Sequence, residues 1–157
     1  MMASSKRTKK VRKPWNPDNA LLKTQPWRIK ALFDPLLAIV DQLECDGTAD
    51  IQNDGTAVFK DVVDGYWYES YTAIMGVVDV FEIHEKRAGV VIDMEPLRRL
   101  ASKLKNDVDI LLCDTEDCRA CFNRMHSATL RMTVGYASGL IRDTQIQEQV
   151  ERLKEAA

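Results

Sequence analysis

The sequence predicts a mainly α-helical protein: a compact bundle of about four to five helices, one small β-hairpin around residues 47–60, and a disordered basic N-terminal tail. Three observations support this fold class. The chain has 157 residues, the length of one domain, and 45% of them are hydrophobic, which is enough for a core. Apolar side chains recur at the helical period along most of the chain. Asn53, Asp54 and Gly55 lie between two short runs of strand-forming residues, which is a hairpin signal.

The N-terminal tail, residues 1–14, is basic and contains no acidic residue. A segment of this composition cannot bury enough apolar area to offset its ordering entropy, so we expect it to be disordered when alone. The rest of the chain has 16 basic residues against 24 acidic ones, a formal charge of −8. The tail is therefore a candidate contact for nucleic-acid phosphates or for an acidic partner. Its six basic residues are Lys6, Arg7, Lys9, Lys10, Arg12 and Lys13.

A short arm, residues 15–27, is predicted between the tail and a single helical domain of residues 28–157. The arm contains Trp15 and Trp27, each directly after a proline that favours an extended backbone. Because large aromatic residues are usually buried, we expect these tryptophans to pack on the body. The alternative is that one of them anchors a partner, since tryptophan is over-represented among binding hot spots.

The first half of the domain is predicted to contain two helices. Residues 28–44 have a wide apolar face, and Asp34 followed by Pro35 resembles a helix cap that begins or restarts the helix. The helical period returns from Val62 to His84, with Trp67 on the apolar stripe. This geometry places the neighbouring tyrosines about 100° to either side of Trp67. It therefore favours a core helix over a base-stacking platform for the stretch GYWYESY.

The second half is predicted to continue as helices. The apolar period runs from Leu97 to Leu111, and a last helix opens at Asp143 or Thr144. Gly135 and Gly139 indicate a break before that last helix. The apolar residues of the last helix are Ile146, Val150 and Leu153.

The stretch CDTEDCRACFNRMH contains Cys113, Cys118, Cys121 and His126, which are residue types that bind zinc. On a helix, however, Cys118 and Cys121 fall on an apolar stripe, and Cys113 and His126 point elsewhere. Zinc ligands must converge within about 2.0–2.3 Å of one ion, which one straight helix cannot arrange. We therefore predict a packing face and no metal site, although bound zinc would overturn this interpretation.

No other motif indicates catalysis. The histidines are His84 and His126, and the seven glycines form no phosphate-binding loop. We expect no cofactor and no enzymatic activity. The chain also has no apolar run of membrane-spanning length and no secretory signal, and its four cysteines suit a reducing compartment, so a cytoplasmic location is expected.

The arrangement resembles that of small orphan proteins encoded by phages and prophages of proteobacteria. The resemblance is carried by KRTKKVRKP, then NPDNAL, then an apolar helix, and later LKNDVDILLCDTED. It implies an accessory role and transfers no catalytic residue. The leading hypothesis is a non-enzymatic protein that contacts a host or phage protein, with a homodimer as a further option. The alternatives are a nucleic-acid-binding regulator that uses the tail, and an acidic nucleic-acid mimic that inhibits a host enzyme.

Overall fold

The computed structural model describes residues 16–61 and 64–156, and within them it confirms the predicted helical bundle with a small β element. The described residues form five α-helices and one antiparallel sheet of three short strands. The helices are α1 (Pro26–Asp46), α2 (Ser70–Ala88), α3 (Glu95–Lys105), α4 (Leu112–Thr129) and α5 (Val134–Ala156). The strands are β1 (Asp50–Ile51), β2 (Ala57–Lys60) and β3 (Trp67–Glu69).

Helix α1 is continuous through Pro35, so the prediction that the helix begins or restarts there is wrong. It begins at Pro26, where the missing N–H of proline costs nothing because the first turn has no intrahelical acceptor for it. Pro35 removes one backbone hydrogen bond from the interior of α1. Phe33 and Leu36 beside it are buried in the core, and this packing stabilises the helix across the proline. The helix ends at Gly47, whose positive φ of 73° lets its N–H bond to the Leu43 carbonyl.

The hairpin predicted around residues 47–60 is present as β1 and β2, with Gly55 in the turn at φ 88°. The structure adds β3, which pairs with β2 in the register Phe59 with Tyr68 and Lys60 with Trp67. The predicted helix from Val62 to His84 is therefore wrong over residues 64–69, since α2 begins only at Ser70. Val62 and Val63 lie outside the described residues.

Two boundaries in the second half also differ from the prediction. Helix α3 ends at Lys105, followed by Asp107 at φ 55°, so the predicted continuation to Leu111 is wrong. Helix α5 begins at Val134 rather than at Asp143, and both predicted break glycines lie inside it. The chain instead turns at residues 130–133, which contain neither glycine nor proline.

The core lies where the helices meet: α2 packs against α1, α3 and α5, and α4 packs against α1 and α3. Its centre is an aromatic cluster around Phe33. The centroid of the Phe33 ring lies 6.2 Å from that of Phe81 and 6.4 Å from that of Phe122. The sheet covers α2 through β2 and β3. One apolar core of this size is consistent with a single folded unit for the described residues.

Residues 16–25, most of the predicted arm, pack on the beginning of α5. Leu22 is buried, and its N–H donates to the Met132 carbonyl at 2.9 Å. The N–H of Val134 donates to the Ala20 carbonyl at 2.8 Å. These bonds hold two short 3₁₀ turns, Pro17–Asn19 and Leu22–Thr24, against the bundle.

Candidate functional site

The cysteine-rich stretch lies on α4 and forms part of the core, as predicted. Cys118 and Cys121 are fully buried, and their thiols donate to the carbonyls of Pro96 and Asp93 at 3.4 and 3.3 Å. Burial raises the pKa of Cys118 to about 12 and also raises the pKa of Cys121. Both thiols are therefore protonated near neutral pH, which is unfavourable for metal binding and for nucleophilic chemistry.

Cys113 and His126, the other members of the predicted cluster, are exposed. The His126 ring lies 6.2 Å from the ring of Phe33, on the α1 side of α4. Within residues 16–61 and 64–156, no three histidine, cysteine or acidic side chains are grouped closely enough to hold a metal ion.

The predicted binding residues lie mostly beyond the described part of the chain. The six basic residues of the tail and Trp15 all fall outside it, so their roles remain predictions. Trp27 is the second residue of α1 and is 63% exposed, so the expectation that it packs on the body is wrong. Its alternative role as a partner anchor remains a prediction.

A site that sequence reasoning missed lies at β3. We define the aromatic segment as Tyr66, Trp67 and Tyr68. Their side chains are 69%, 51% and 42% exposed, respectively. The prediction that Trp67 lies on a core stripe is therefore wrong. The rings divide between the two faces of the strand, since successive side chains alternate. The pair Asp64-Gly65 is a turn signal, and the three aromatic residues that follow favour strands, so the local sequence did contain the information.

Local hydrogen bonds hold the aromatic segment in place. Gly65, at φ 73°, donates its N–H to the Asp61 carbonyl at 2.9 Å, which closes the turn before β3. The Asp64 carboxylate accepts from the Tyr66 N–H at 2.8 Å and also from the Tyr68 hydroxyl. The hydrogen bond to the Asp64 carboxylate raises the pKa of Tyr68, and burial raises it to a smaller extent, so the phenol remains a neutral donor. The Tyr68 ring also packs 6.0 Å from the Phe59 ring.

The surroundings of the aromatic segment are acidic. Asp61 and Asp64 occupy the turn before it, Glu69 follows it, and Asp50 lies on the far strand of the same sheet. Lys60, the cross-strand partner of Trp67, supplies the positive charge within β2 and β3. A surface of this kind combines aromatic contact area with negative potential.

A second acidic surface lies between α2 and α5. A small cleft there is lined by Asp79, Glu82, Glu148 and Glu151, together with Lys86. Burial raises the pKa of Asp79, and the neighbouring carboxylates of Glu82, Glu148 and Glu151 raise it further. These four carboxylates, of which Glu151 is exposed and the others are half-buried, give this side of α2 and α5 a negative potential.

A cleft of about 650 Å³ lies where the end of α2, the end of α4 and the start of α5 meet. His84 and Tyr136 lie on its wall, with the histidine Nδ1 2.7 Å from the tyrosine oxygen. Burial lowers the pKa of His84, and only a weaker influence of Glu85 opposes this. The ring is therefore neutral near pH 7.

No family model matches the chain, and comparison with curated proteins and with solved structures found no match. Among the described residues, no helix is long and apolar enough to cross a lipid bilayer. Fold and surface together define the class of protein: a helical bundle with a small antiparallel sheet that carries an exposed aromatic segment among acidic side chains.

Proposed function

We propose that this chain is a non-enzymatic accessory protein that binds another protein through the aromatic segment. The supporting observation is that three consecutive large aromatic side chains remain between 42% and 69% exposed on a folded body. Single exposed apolar residues are normal on protein surfaces, whereas three consecutive large aromatic side chains that stay exposed on both faces of one strand favour an interaction site. Tyrosine and tryptophan are also the residues most enriched among binding hot spots.

The backbone of β3 and one ring of the aromatic segment, that of Tyr68, are held in place without a partner. Pairing with Phe59 and Lys60 fixes the backbone of β3, and the hydrogen bond to Asp64 fixes the Tyr68 ring. Association costs less when fewer side chains have to be ordered at the interface. The Tyr68 ring and the paired backbone of β3 therefore lose less freedom on binding than they would in a flexible loop.

The charge around the segment favours a partner with a basic surface. Four carboxylates, those of Asp50, Asp61, Asp64 and Glu69, lie in the same sheet or its turns. They would repel nucleic-acid phosphates and attract lysine and arginine side chains. This supports the view that the acidic body competes with nucleic acid for the basic surface of a host enzyme, as an accessory protein of a phage or prophage would do.

Affinity capture from a proteobacterial lysate, with the full chain as bait, tests this proposal. The double substitution Tyr66→Ser and Trp67→Ser should reduce recovery of the specific partner by at least about tenfold, because hot-spot truncations cost about 2 kcal/mol or more. Val91→Ser is the matched control, since Val91 is 91% exposed and lies outside the sheet. Full recovery with the double variant, or equal loss with the control, would refute the assignment.

Trp27→Ser separates the two candidate anchors in the same experiment. If the partner is lost with this variant and retained with the double variant, the arm is the binding element and the strand is not. Thermal denaturation of each variant checks that loss of binding does not reflect unfolding. All these positions are exposed, so we expect melting temperatures close to that of the wild type.

The alternative function, a nucleic-acid-binding regulator, rests on the basic tail. It predicts a mobility shift of labelled DNA at about 50 mM salt, where phosphate contacts are strongest, and loss of that shift on deletion of residues 1–14. Absence of the shift at this salt concentration would eliminate this alternative.

A further inference from the structure

We infer that the cleft between α2, α4 and α5 binds a small organic acid, with its carboxylate on Arg131 and its apolar part against Val90, Ile92 and Met132. This site shares no lining residue with the aromatic segment, so it is independent of the proposed protein-binding function. Its volume of about 650 Å³ lies within the range of about 300–1,000 Å³ that is usual for small-molecule sites.

The charges of the cleft select an anion. Its lining includes two arginines, Arg87 and Arg131, and no aspartate or glutamate, although acidic residues outnumber basic ones in the whole chain by 24 to 22. Arg87 is already bound to the Asp143 carboxylate. Arg131 is exposed and has no ion pair or side-chain hydrogen bond with any residue of the described ranges. Its guanidinium is therefore available to bind a carboxylate in a bidentate manner.

The His84–Tyr136 pair supplies one further donor. A neutral histidine and a tyrosine carry one N–H and one O–H, and their mutual hydrogen bond uses only one of these two protons. If Nδ1 accepts from the hydroxyl, the proton on Nε2 remains; if Nδ1 donates, the hydroxyl proton remains. Either tautomer leaves one donor for an acceptor atom of the ligand. Tyr136 also lies in the first turn of α5, where the helix dipole favours negative charge.

Apart from the hydroxyl side chains of Ser127 and Thr133, the rest of the lining is apolar. Ala88, Val90 and Ile92 line one part, and Ala128 and Met132 line another. A free phosphate or sulfate would leave these side chains without contact, and a purely apolar molecule would leave Arg131 unpaired. The combination therefore fits an acid with an apolar body, such as an aryl-substituted or medium-chain carboxylate.

Titration of the full chain with 4-phenylbutyrate tests the inference. Binding is monitored through the NMR signals of the His84 and Tyr136 side chains. For a probe of about a dozen heavy atoms, binding in about the millimolar range is expected. The uncharged analogue 4-phenyl-1-butanol and inorganic phosphate should each bind at least about tenfold more weakly, because each lacks one of the two interactions.

Three variants complete the test. Arg131→Gln should weaken 4-phenylbutyrate binding at least about tenfold, and Tyr136→Phe about two- to tenfold, given the usual contributions of charged and neutral hydrogen bonds. Arg152→Gln is the matched control, since Arg152 is exposed on α5 and lies outside the cleft. No saturable shift up to about 10 mM, equal binding of the alcohol or phosphate, or equal affinities of the Arg131 and Arg152 variants would overturn the inference. An acetylated dipeptide acid that binds more than tenfold tighter would also overturn it, in favour of a protein C-terminus.

Discussion

Two glycines of α5 provide a sharp test of how the N-terminal segment packs, because alanine should have opposite effects at the two positions. A Cβ atom added at Gly135 would lie 2.8 Å from the Cβ of Asp18 and 3.1 Å from its carbonyl oxygen. A Cβ added at Gly139 would meet only the Arg142 guanidinium, at 3.9 Å. Both residues are helical, so each substitution gains the helix propensity of alanine.

The magnitudes follow from these contacts. Replacing an interior helical glycine with alanine stabilises a protein by about 0.5–1 kcal/mol, and this is the whole expected effect of Gly139→Ala. Gly135 lies in the first turn, where the gain is smaller, and its new methyl group overlaps Asp18. Overpacking of this kind costs about 1–3 kcal/mol, so Gly135→Ala should be destabilising. Since the gain at Gly135 is the smaller of the two, we expect the variants to differ by about 1–4 kcal/mol in unfolding free energy.

Urea denaturation followed by circular dichroism measures this difference, provided that the m-values of the variants agree. Combining Gly135→Ala with Asp18→Gly removes the side-chain part of the overlap, so the double variant should recover part of the loss. If Gly135→Ala proves as stable as Gly139→Ala, then residues 16–20 do not pack on α5 in solution and the reasoning fails.

Two further predictions concern buried polar groups. Asp114→Asn should lower the unfolding free energy by about 1.5–3 kcal/mol at pH 7, because the nearly buried carboxylate accepts from Lys103 at 2.6 Å and from the Leu111 N–H at 2.9 Å. Burial alone would raise the pKa of Asp114, but the Lys103 and Leu111 donors lower it overall. The contribution of the Asp114 carboxylate to the unfolding free energy should therefore be present above about pH 4 and be lost on further acidification. Urea titrations of the wild type and the variant at several pH values measure this difference. Ellman's reagent should modify two of the four thiols in the native protein and all four only after unfolding; a rapid reaction of Cys118 or Cys121 would contradict their placement.

The sequence determined the features that depend on local pattern. The helical period of the apolar residues predicted α1, most of α2, α3 and α4, and the same period placed Cys118 and Cys121 in the core. Asn53, Asp54 and Gly55 predicted the first hairpin, because residues that tolerate positive φ identify a tight turn without reference to the rest of the fold.

The errors occurred where strand pairing or tertiary packing, rather than the period of the apolar residues, decides the structure. Trp67 fits a helical stripe and a strand equally well, and its pairing with Lys60 selects the strand. Gly135 predicted a break, but the close approach of Asp18, more than one hundred residues earlier, requires a glycine inside the helix.

Sequence alone thus determined the fold class, the charge layout and the core position of Cys118 and Cys121, since each depends on composition or on spacing within one helix. Only the tertiary structure decided where the candidate binding surfaces lie. It exposed the aromatic segment by pairing β3 with β2, and it brought His84, Arg131 and Tyr136 together from three different helices or their ends. Side chains so far apart in the chain become neighbours through packing, and no local pattern contains that information.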